Sequence, residues 1–153
     1  MKTSLRLITT TSAIVATAAA IVAQGQAEKP KAAGKGKTRQ VIYLSSDAAT
    51  YKERFPGVSM AVVWGDPDKG AHGMFTKFAP GYDAGMHTHT NDIWLVVLKG
   101  AYLYRDDAGD KRVGPGEFIR IPGGHKHWSG GDKTEGALFY DEGSGKFDKI
   151  DVK

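Results

Sequence analysis

From residue 40 onward, short runs of β-branched and aromatic residues alternate with clusters of turn-forming residues. Such runs separated by Gly, Pro and Asp predict strands, and many short strands in one small domain predict an all-β sandwich or barrel. The predicted strands cover residues 41–44, 58–64, 72–79, 93–99, 101–104, 117–121 and 137–141. Residues 46–55 are the exception and predict a short helix, begun by Ser46 or Asp47 and ended by Pro56-Gly57.

Residues 93–98 read Ile-Trp-Leu-Val-Val-Leu and are apolar at every position. A strand with one face in water would alternate between apolar and polar residues, so this strand is predicted to be buried on both faces. One face would line the interior of the fold. The other would be covered by the N-terminal segment or by a second subunit, and we favour a homodimer.

The start of the chain has the layout of a secretory signal peptide. Lys2 and Arg6 precede an uncharged run over residues 7–23, and Gly25 and Ala27 supply the small residues of a cleavage site. A membrane anchor is the alternative, but the run is short and polar for a spanning helix. We therefore predict a signal peptide over residues 1–27, a flexible basic leader over residues 28–39 and one domain over residues 40–153. The mature protein would be periplasmic or secreted, with no anchor in the membrane.

Composition narrows the chemistry that this domain can perform. The 153 residues include 20 Gly and no Cys, so disulfides, thiolate metal sites and cysteine nucleophiles are excluded. Any metal must be bound by imidazole, carboxylate or carbonyl groups. The formal charge of +4 is mild and gives no reason to expect a nucleic-acid partner.

Three histidines are the strongest candidates for a site. His87 and His89 are separated by one residue, so in a strand both imidazoles point to the same face, with Cβ atoms roughly 7 Å apart. His127 follows the strand 117–121 and a tight turn at 122–124. If the strand that begins there lies beside the first, His127 joins the same cluster.

Two segments around these histidines resemble the motifs of the cupin superfamily. Gly81, His87, His89 and Gly100 match the first motif, and Gly116, Pro122, Gly124 and His127 match the second. The resemblance is to small single-domain bacterial cupins, both uncharacterised and diketone-cleaving, with a three-histidine site. It implies a double-stranded β-helix, or jelly-roll barrel, with one divalent metal ion in its mouth bound by His87, His89 and His127.

Two positions depart from the cupin motifs. Ile93 stands where the first motif has Glu, and Gly131 stands where the second has Asn. Asp92 lies on the opposite strand face from the histidines, so it could be a fourth ligand only if a bulge shifts the register. His125 has the same parity as His127 and is interpreted as a residue at the rim of the site. His72 is interpreted as a half-buried strand histidine.

Three neutral imidazoles would leave the full charge of a divalent ion uncompensated, which favours an anionic substrate such as an enolate, or a bound water of lowered pKa. Imidazole ligands do not distinguish Fe2+, Zn2+, Mn2+, Ni2+ and Cu2+. The resemblance implies Fe2+ and O2 for cupins that cleave β-diketones or oxidise thiols. Zinc in a site of this shape would suit hydrolysis or hydration.

The leading hypothesis is an exported, dioxygenase-like oxidoreductase that acts on a small enolisable or aromatic compound. The alternatives are a non-catalytic periplasmic cupin that binds a metal or ligand, and a structural barrel without metal. Aromatic candidates for the pocket wall are Tyr102, Tyr104, Phe118, Trp128 and Phe139. Candidates for acid–base or orienting groups are Asp92, Glu117, Arg120 and Tyr140.

Overall fold

The computed structural model describes residues 40–152, which form eleven β-strands and no helix. The strands are β1 (Lys52–Phe55), β2 (Val58–Gly65), β3 (His72–Phe78), β4 (Asp83–Thr88), β5 (Ile93–Gly100), β6 (Tyr102–Asp106), β7 (Gly109–Val113), β8 (Phe118–Ile121), β9 (His127–Gly131), β10 (Ala137–Gly143) and β11 (Ile150–Asp151). The all-β prediction is confirmed. The predicted signal peptide and leader lie outside the described residues. Within residues 40–152, no helix is long and apolar enough to cross a membrane.

The strands form two antiparallel sheets. The six-stranded sheet has the order β1-β2-β3-β10-β5-β8, and the five-stranded sheet has the order β11-β4-β9-β6-β7. Strand β10 lies between β3 and β5, and β9 lies between β4 and β6, so strands distant in the sequence become neighbours. Two packed sheets with crossovers of this kind form a jelly roll.

The core lies between the two sheets. Leu95, Val97 and Phe139 of the six-stranded sheet pack with Tyr102 of the five-stranded sheet, and each is less than 5% exposed. The ring of Phe139 lies edge-on to Tyr102, with 5.3 Å between ring centroids. Burial of these apolar side chains stabilises the fold.

The outer face of β5 is only partly covered within the described chain. Trp94 and Val96 are half-buried, and Leu98 is 38% exposed. The segment before β1 reaches this sheet through an ion pair between Asp47 and Lys99, with 3.0 Å between Oδ1 and Nζ. Residues 93–98 were predicted to be buried on both faces of the strand. Only Leu95 and Val97, on the inner face, are fully buried.

Two predicted elements near the start of the domain are wrong. Residues 46–55 form no helix: a turn at 46–49 is followed by β1, whose residues pair with β2 across the turn at Pro56-Gly57. The hydrogen bonds of this hairpin override the local helical pattern, which is a common outcome for short segments. Residues 41–44 form no strand, and Val41 and Tyr43 are more than 90% exposed.

Some strands occupy segments that the sequence pattern did not mark. Strand β7 lies in a segment that no predicted strand covers, because its polar residues form the outer edge of the five-stranded sheet. Strand β9 begins at His127, where a strand was expected to start, and runs on through Gly130 and Gly131. An added Cβ at Gly131 would lie 2.8 Å from the carbonyl oxygen of Ala79, so glycine here permits close packing of two backbones.

Candidate metal centre

Strands β4 and β9 bring the three histidines of the two motifs together. His87 and His127 are direct partners in the antiparallel pairing, with ring centroids 4.3 Å apart. His89 follows just after β4, with its ring centroid 4.9 Å from that of His87 and 5.4 Å from that of His127. One nitrogen of each ring lies within 4.8 Å of the other two, so the group could bind a metal ion.

Backbone carbonyl groups hold each ring by its Nδ1 atom. His87 Nδ1 is 2.8 Å from the oxygen of Gly85, His127 Nδ1 is 3.0 Å from that of His125, and His89 Nδ1 bonds to that of Asp148. An Nδ1–H that donates to a carbonyl leaves Nε2 unprotonated, which is the form that binds metals. All three rings are therefore oriented as ligands.

A bulge in β4 sets the orientation of the Gly85 peptide group. The pairing of β4 with β9 shifts register between Asp83 and Met86, and Gly85 has φ of +70°. Residues with a Cβ rarely adopt this conformation, so glycine fits the position. The bulge turns the Gly85 carbonyl group toward the ring of His87.

His127 Nε2 provides the most direct sign that this cluster accepts a ligand. It is buried and has no hydrogen-bond partner among the described residues. Leaving a buried polar atom unpaired costs about 1–3 kcal/mol, so such atoms are rare without a function. A divalent metal ion would satisfy this atom, and its chemistry suits a set of three imidazoles.

Burial keeps the three imidazoles neutral. Desolvation lowers the pKa of His87 and of His127 to about 4, and it lowers the pKa of His89. His87 is 2% exposed and His127 is fully buried, so little water is available to stabilise a charged ring. Protons therefore compete weakly with a metal ion at neutral pH.

Tyr104 and His125 surround His127 without joining the cluster. The ring of Tyr104 stacks on that of His127, with centroids 5.5 Å apart. Asp106 accepts hydrogen bonds from Tyr104 Oη at 2.8 Å and pairs with His125 Nε2 at 3.0 Å. These bonds lower the pKa of Asp106 to about 2. The His125 side chain is 42% exposed, which agrees with its predicted place at the rim.

A cavity of about 60 Å3 lies between the sheets beside the histidines. At about 10–15 Å3 per water-sized group, it accommodates roughly four to six such groups. His87 and His89 line it, as do the predicted wall residues Tyr102 and Phe139. Ile93, which replaces the motif Glu, contributes an apolar wall and no charge.

Asp141 is the buried carboxyl group of this cavity. It is 4% exposed and accepts a hydrogen bond from Thr76, with 2.7 Å between Oγ1 and Oδ1. Desolvation raises its pKa to about 7, and the bond from Thr76 offsets only part of that effect. Asp141 was not predicted as a site residue, because an acidic residue at the end of a predicted strand is expected to be exposed. Its parity with Phe139 on β10 was the available signal.

Several other predicted site residues lie outside the cavity. Asp92 is not a fourth ligand, because Oδ2 binds Arg120 Nη2 at 2.6 Å and Oδ1 accepts from the amide of Gly123 at 2.8 Å. His72 is 1% exposed, so it is buried rather than half-buried, and its Nδ1 bonds to the oxygen of Gly70.

The remaining candidates face the surface or the outer sheet faces. Phe118 is 60% exposed, and Trp128 donates to Asp83 at 2.6 Å. Glu117 accepts from the amide of Gly114, and Tyr140 donates to Glu142 at 2.8 Å. None of these four lines the cavity, so the structure does not place these candidates at the site.

Comparisons with known proteins agree with this fold. Residues 74–141 match the family model of the cupin domain. The polyketide cyclase RemF from Streptomyces resistomycificus has a TM-score of 0.62 at 20% identity, covering 74% of this chain and 87% of that chain. KdgF from Halomonas sp. has a TM-score of 0.55 at 19% identity, covering 67% and 94%.

A third similar structure comes from the crystal structures of the DMSP lyases RdDddP and RnDddQII. Its TM-score is 0.56 at 15% identity, covering 69% of this chain and 63% of that chain. No curated protein sequence matches this chain. The structural similarities at these identities establish the fold, and the domain match rests on the residues between β3 and β10. Residues 74–141 therefore form a cupin domain.

Proposed function

We propose that this protein is a metal-dependent enzyme, a dioxygenase-like oxidoreductase that acts on a small enolisable or aromatic compound. The observation that carries the proposal is the buried group of His87, His89 and His127 beside an internal cavity. A divalent ion held there would supply a positive charge that stabilises an anionic oxygen of the substrate. The three rings would bind the ion through Nε2, with Nδ1 anchored to the backbone.

The lining of the cavity supports a small anionic ligand. Its volume of about 60 Å3 limits the size of the compound, and Ile93 keeps the metal-ligand set free of a carboxylate. Lys149 also lines the cavity, and its ammonium group pairs with Asp151. An enolate or carboxylate would find positive charge at the bound ion.

The similar folds support a reaction on a small molecule. One is named a polyketide cyclase and another is named for DMSP lyases. Neither name is that of an oxygenase, so oxygen consumption is the property that the experiment must measure. The alternative is a non-catalytic cupin that binds a metal or ligand.

Elemental analysis followed by oxygen uptake tests the proposed function. The mature protein is purified, its metal content is measured, and it is loaded anaerobically with Fe2+. Oxygen consumption is then recorded with a panel of β-diketones, thiols and phenols. Substrate-dependent uptake that is absent in His87→Ala and retained in His125→Ala supports the proposal. A metal-loaded protein that consumes no oxygen with any compound contradicts the oxidoreductase and favours the alternative.

Export is a separate part of the proposal. It rests on the sequence of residues 1–27, with Lys2 and Arg6 before an apolar run and Ala27 at the cleavage position. Expression with a C-terminal tag, cell fractionation and mass spectrometry of the N-terminus test it. A mature chain in the periplasm or medium that starts at Glu28 supports export. An intact Met1 in the cytoplasm contradicts it.

We also propose that the protein forms a homodimer through the outer face of the six-stranded sheet. Val96 is half-buried, while Leu98 and Phe118 are 38% and 60% exposed on neighbouring strands. The apolar residues Val41 and Tyr43 are also exposed and belong to the segment that joins this face at Asp47. Burying such side chains against a second copy would stabilise a dimer.

A further inference from the structure

We propose that Asp141 is the acid–base residue of this site, which removes a proton from the bound small molecule and returns it. This inference rests on the proposed function and deepens it. It identifies the substrate as a carbon acid, with a C–H bond next to a carbonyl group. Oxygen chemistry could then follow from the enolate, whereas isomerisation, cyclisation or elimination could follow without oxygen.

The placement of Asp141 is the first support. Asp141 and Phe139 point inward from β10, so the carboxyl group lines the same small cavity as His87 and His89. It does not belong to the group of ligand atoms that lie within 4.8 Å of one another. A molecule of a few atoms in this cavity would contact the carboxyl group and the histidine side together.

The hydrogen bonding of Asp141 is the second support. Thr76 Oγ1 donates to Oδ1, which fixes the rotation of the carboxyl group. Within residues 40–152, no other hydrogen bond to this carboxyl group is formed, and Oδ2 is left to interact with a ligand. A carboxyl group with no cationic partner stays near the point of half-ionisation at neutral pH, where proton transfer in both directions is efficient.

The proton transfer balances without any oxidant or reductant. The C–H bond adjacent to the carbonyl group breaks, and its electron pair forms the enolate, with the negative charge on oxygen. The proton moves to Asp141 Oδ2, which becomes a neutral carboxylic acid. In the return step the same proton goes back to carbon or to a leaving group, and the carboxylate is restored.

Charged and titratable groups around Asp141 come from several strands. Tyr82, His87, His89, Tyr102 and Lys149 line the cavity with it. Burial raises the pKa of Tyr82 and of Tyr102, and it lowers the pKa of both histidines. Burial therefore moves the pKa of the Asp141 carboxyl group to about 7, well above its usual acidic range.

Deuterium exchange in D2O tests this role separately from oxygen chemistry. The protein is loaded with Zn2+, which has no redox chemistry, and proton NMR follows exchange at the acidic carbon of pyruvate, acetoacetate and pentane-2,4-dione. General acid–base groups contribute about 100-fold to 10,000-fold, so Asp141→Asn is expected to lower the exchange rate at least 100-fold. Asp141→Glu is expected to recover part of it.

Glu142→Gln is the matched control, because Glu142 is the next residue on β10 and binds Tyr140 away from the cavity. It is expected to exchange at the wild-type rate. An exchange rate in Asp141→Asn within threefold of wild type, with unchanged zinc content, overturns the inference. So does a wild-type protein that exchanges none of the three compounds.

A second readout requires neither metal nor substrate. Carbon-13 NMR of the Asp141 carboxyl group in the metal-free protein is expected to show a midpoint near pH 7. A midpoint near pH 4 overturns the role of Asp141. The two proposals can fail separately: oxygen uptake that survives in Asp141→Asn removes this inference alone, whereas a wild-type protein that retains no metal removes the proposed function.

Discussion

His87 on β4 and His127 on β9 are directly paired across the five-stranded sheet, with ring centroids 4.3 Å apart. The two residues are 40 positions apart in the sequence, so only the strand pairing brings them together. The bulge at Gly85 lies just before His87 on β4, and the turn with the His125 carbonyl group lies just before His127. The geometry of the metal centre is therefore a property of the register between these two strands.

Gly85→Ala is expected to weaken both the fold and the metal centre. A residue with a Cβ at φ of +70° costs about 1–2 kcal/mol, and relief of this strain would rotate the carbonyl group that holds His87. Metal affinity, measured by competition with a chromophoric chelator, is expected to fall at least tenfold.

Gly70→Ala is the matched control for this substitution. An added Cβ at Gly70 meets no atom within 4 Å, and the residue does not have a positive φ. We expect wild-type affinity and a change in unfolding free energy of under about 0.5 kcal/mol. Equal effects of the two substitutions would contradict the role of the Gly85 carbonyl group.

Metal affinity is expected to persist at moderately acidic pH. The pKa of His87 and of His127 is about 4, so their Nε2 atoms remain unprotonated at pH 5.5. Three exposed imidazoles with a pKa near 6.5 would lose roughly 1,000-fold in affinity between pH 7.5 and pH 5.5. We expect a loss of under about tenfold, measured by chelator competition. A loss approaching 1,000-fold would show that the rings are hydrated.

Asp141→Asn is expected to change how stability depends on pH. The folded pKa of Asp141 is about 7 against 3.8 for a solvated aspartate, so the wild type loses stability as the pH rises from about 4 through 7. The Asn variant has no such loss. Its unfolding free energy relative to wild type should rise by about 3 kcal/mol between pH 4.5 and pH 8.5, as measured by urea unfolding of the metal-free proteins.

Asp106→Asn provides the comparison for that experiment. The pKa of Asp106 is lowered to about 2, so its titration is complete below this pH range. Its unfolding free energy relative to wild type is expected to stay constant from pH 4.5 to pH 8.5. A flat difference for Asp141→Asn as well would mean that Asp141 is ionised throughout, which the burial of its carboxyl group argues against.

Val96→Glu tests the proposed dimer interface. A charge on the outer face of β5 would be buried between two copies, so the variant is expected to be monomeric in sedimentation velocity while the wild type is dimeric. Val62→Glu is the control. Val62 is 46% exposed and lies on the other face of the same sheet, where it is paired with Met74 of β3. A wild type that is monomeric at 100 μM would contradict the dimer.

Strand periodicity was sufficient to predict much of this fold. The runs at 72–79, 93–99 and 137–141 coincide with β3, β5 and β10, because their β-branched and aromatic residues pack in the core. The polar strand β7 was missed, since backbone pairing with β6 determines it. The helix predicted at 46–55 failed for the same reason, because the hairpin of β1 with β2 prevails over local preference.

The site was predictable to a similar extent. Strand parity placed His87 and His89 on one face, and the resemblance to the cupin motifs added His127. The structure brings the three rings to within 5.4 Å of one another. Asp141 could not be identified, because burial of a carboxyl group depends on the neighbouring strands β3 and β5. The ion pair of Asp92 with Arg120 could not be predicted either, because the two residues lie on different elements of the fold.

Metal content measured by elemental analysis tests the central claim most directly. The account predicts about one divalent metal ion per chain in the wild type and in His125→Ala, after dialysis against buffer without chelator. It predicts less than a tenth of that amount in His87→Ala and in His127→Ala, both folded by circular dichroism. Equal metal content in all four proteins, or no metal in the wild type after loading, would contradict it.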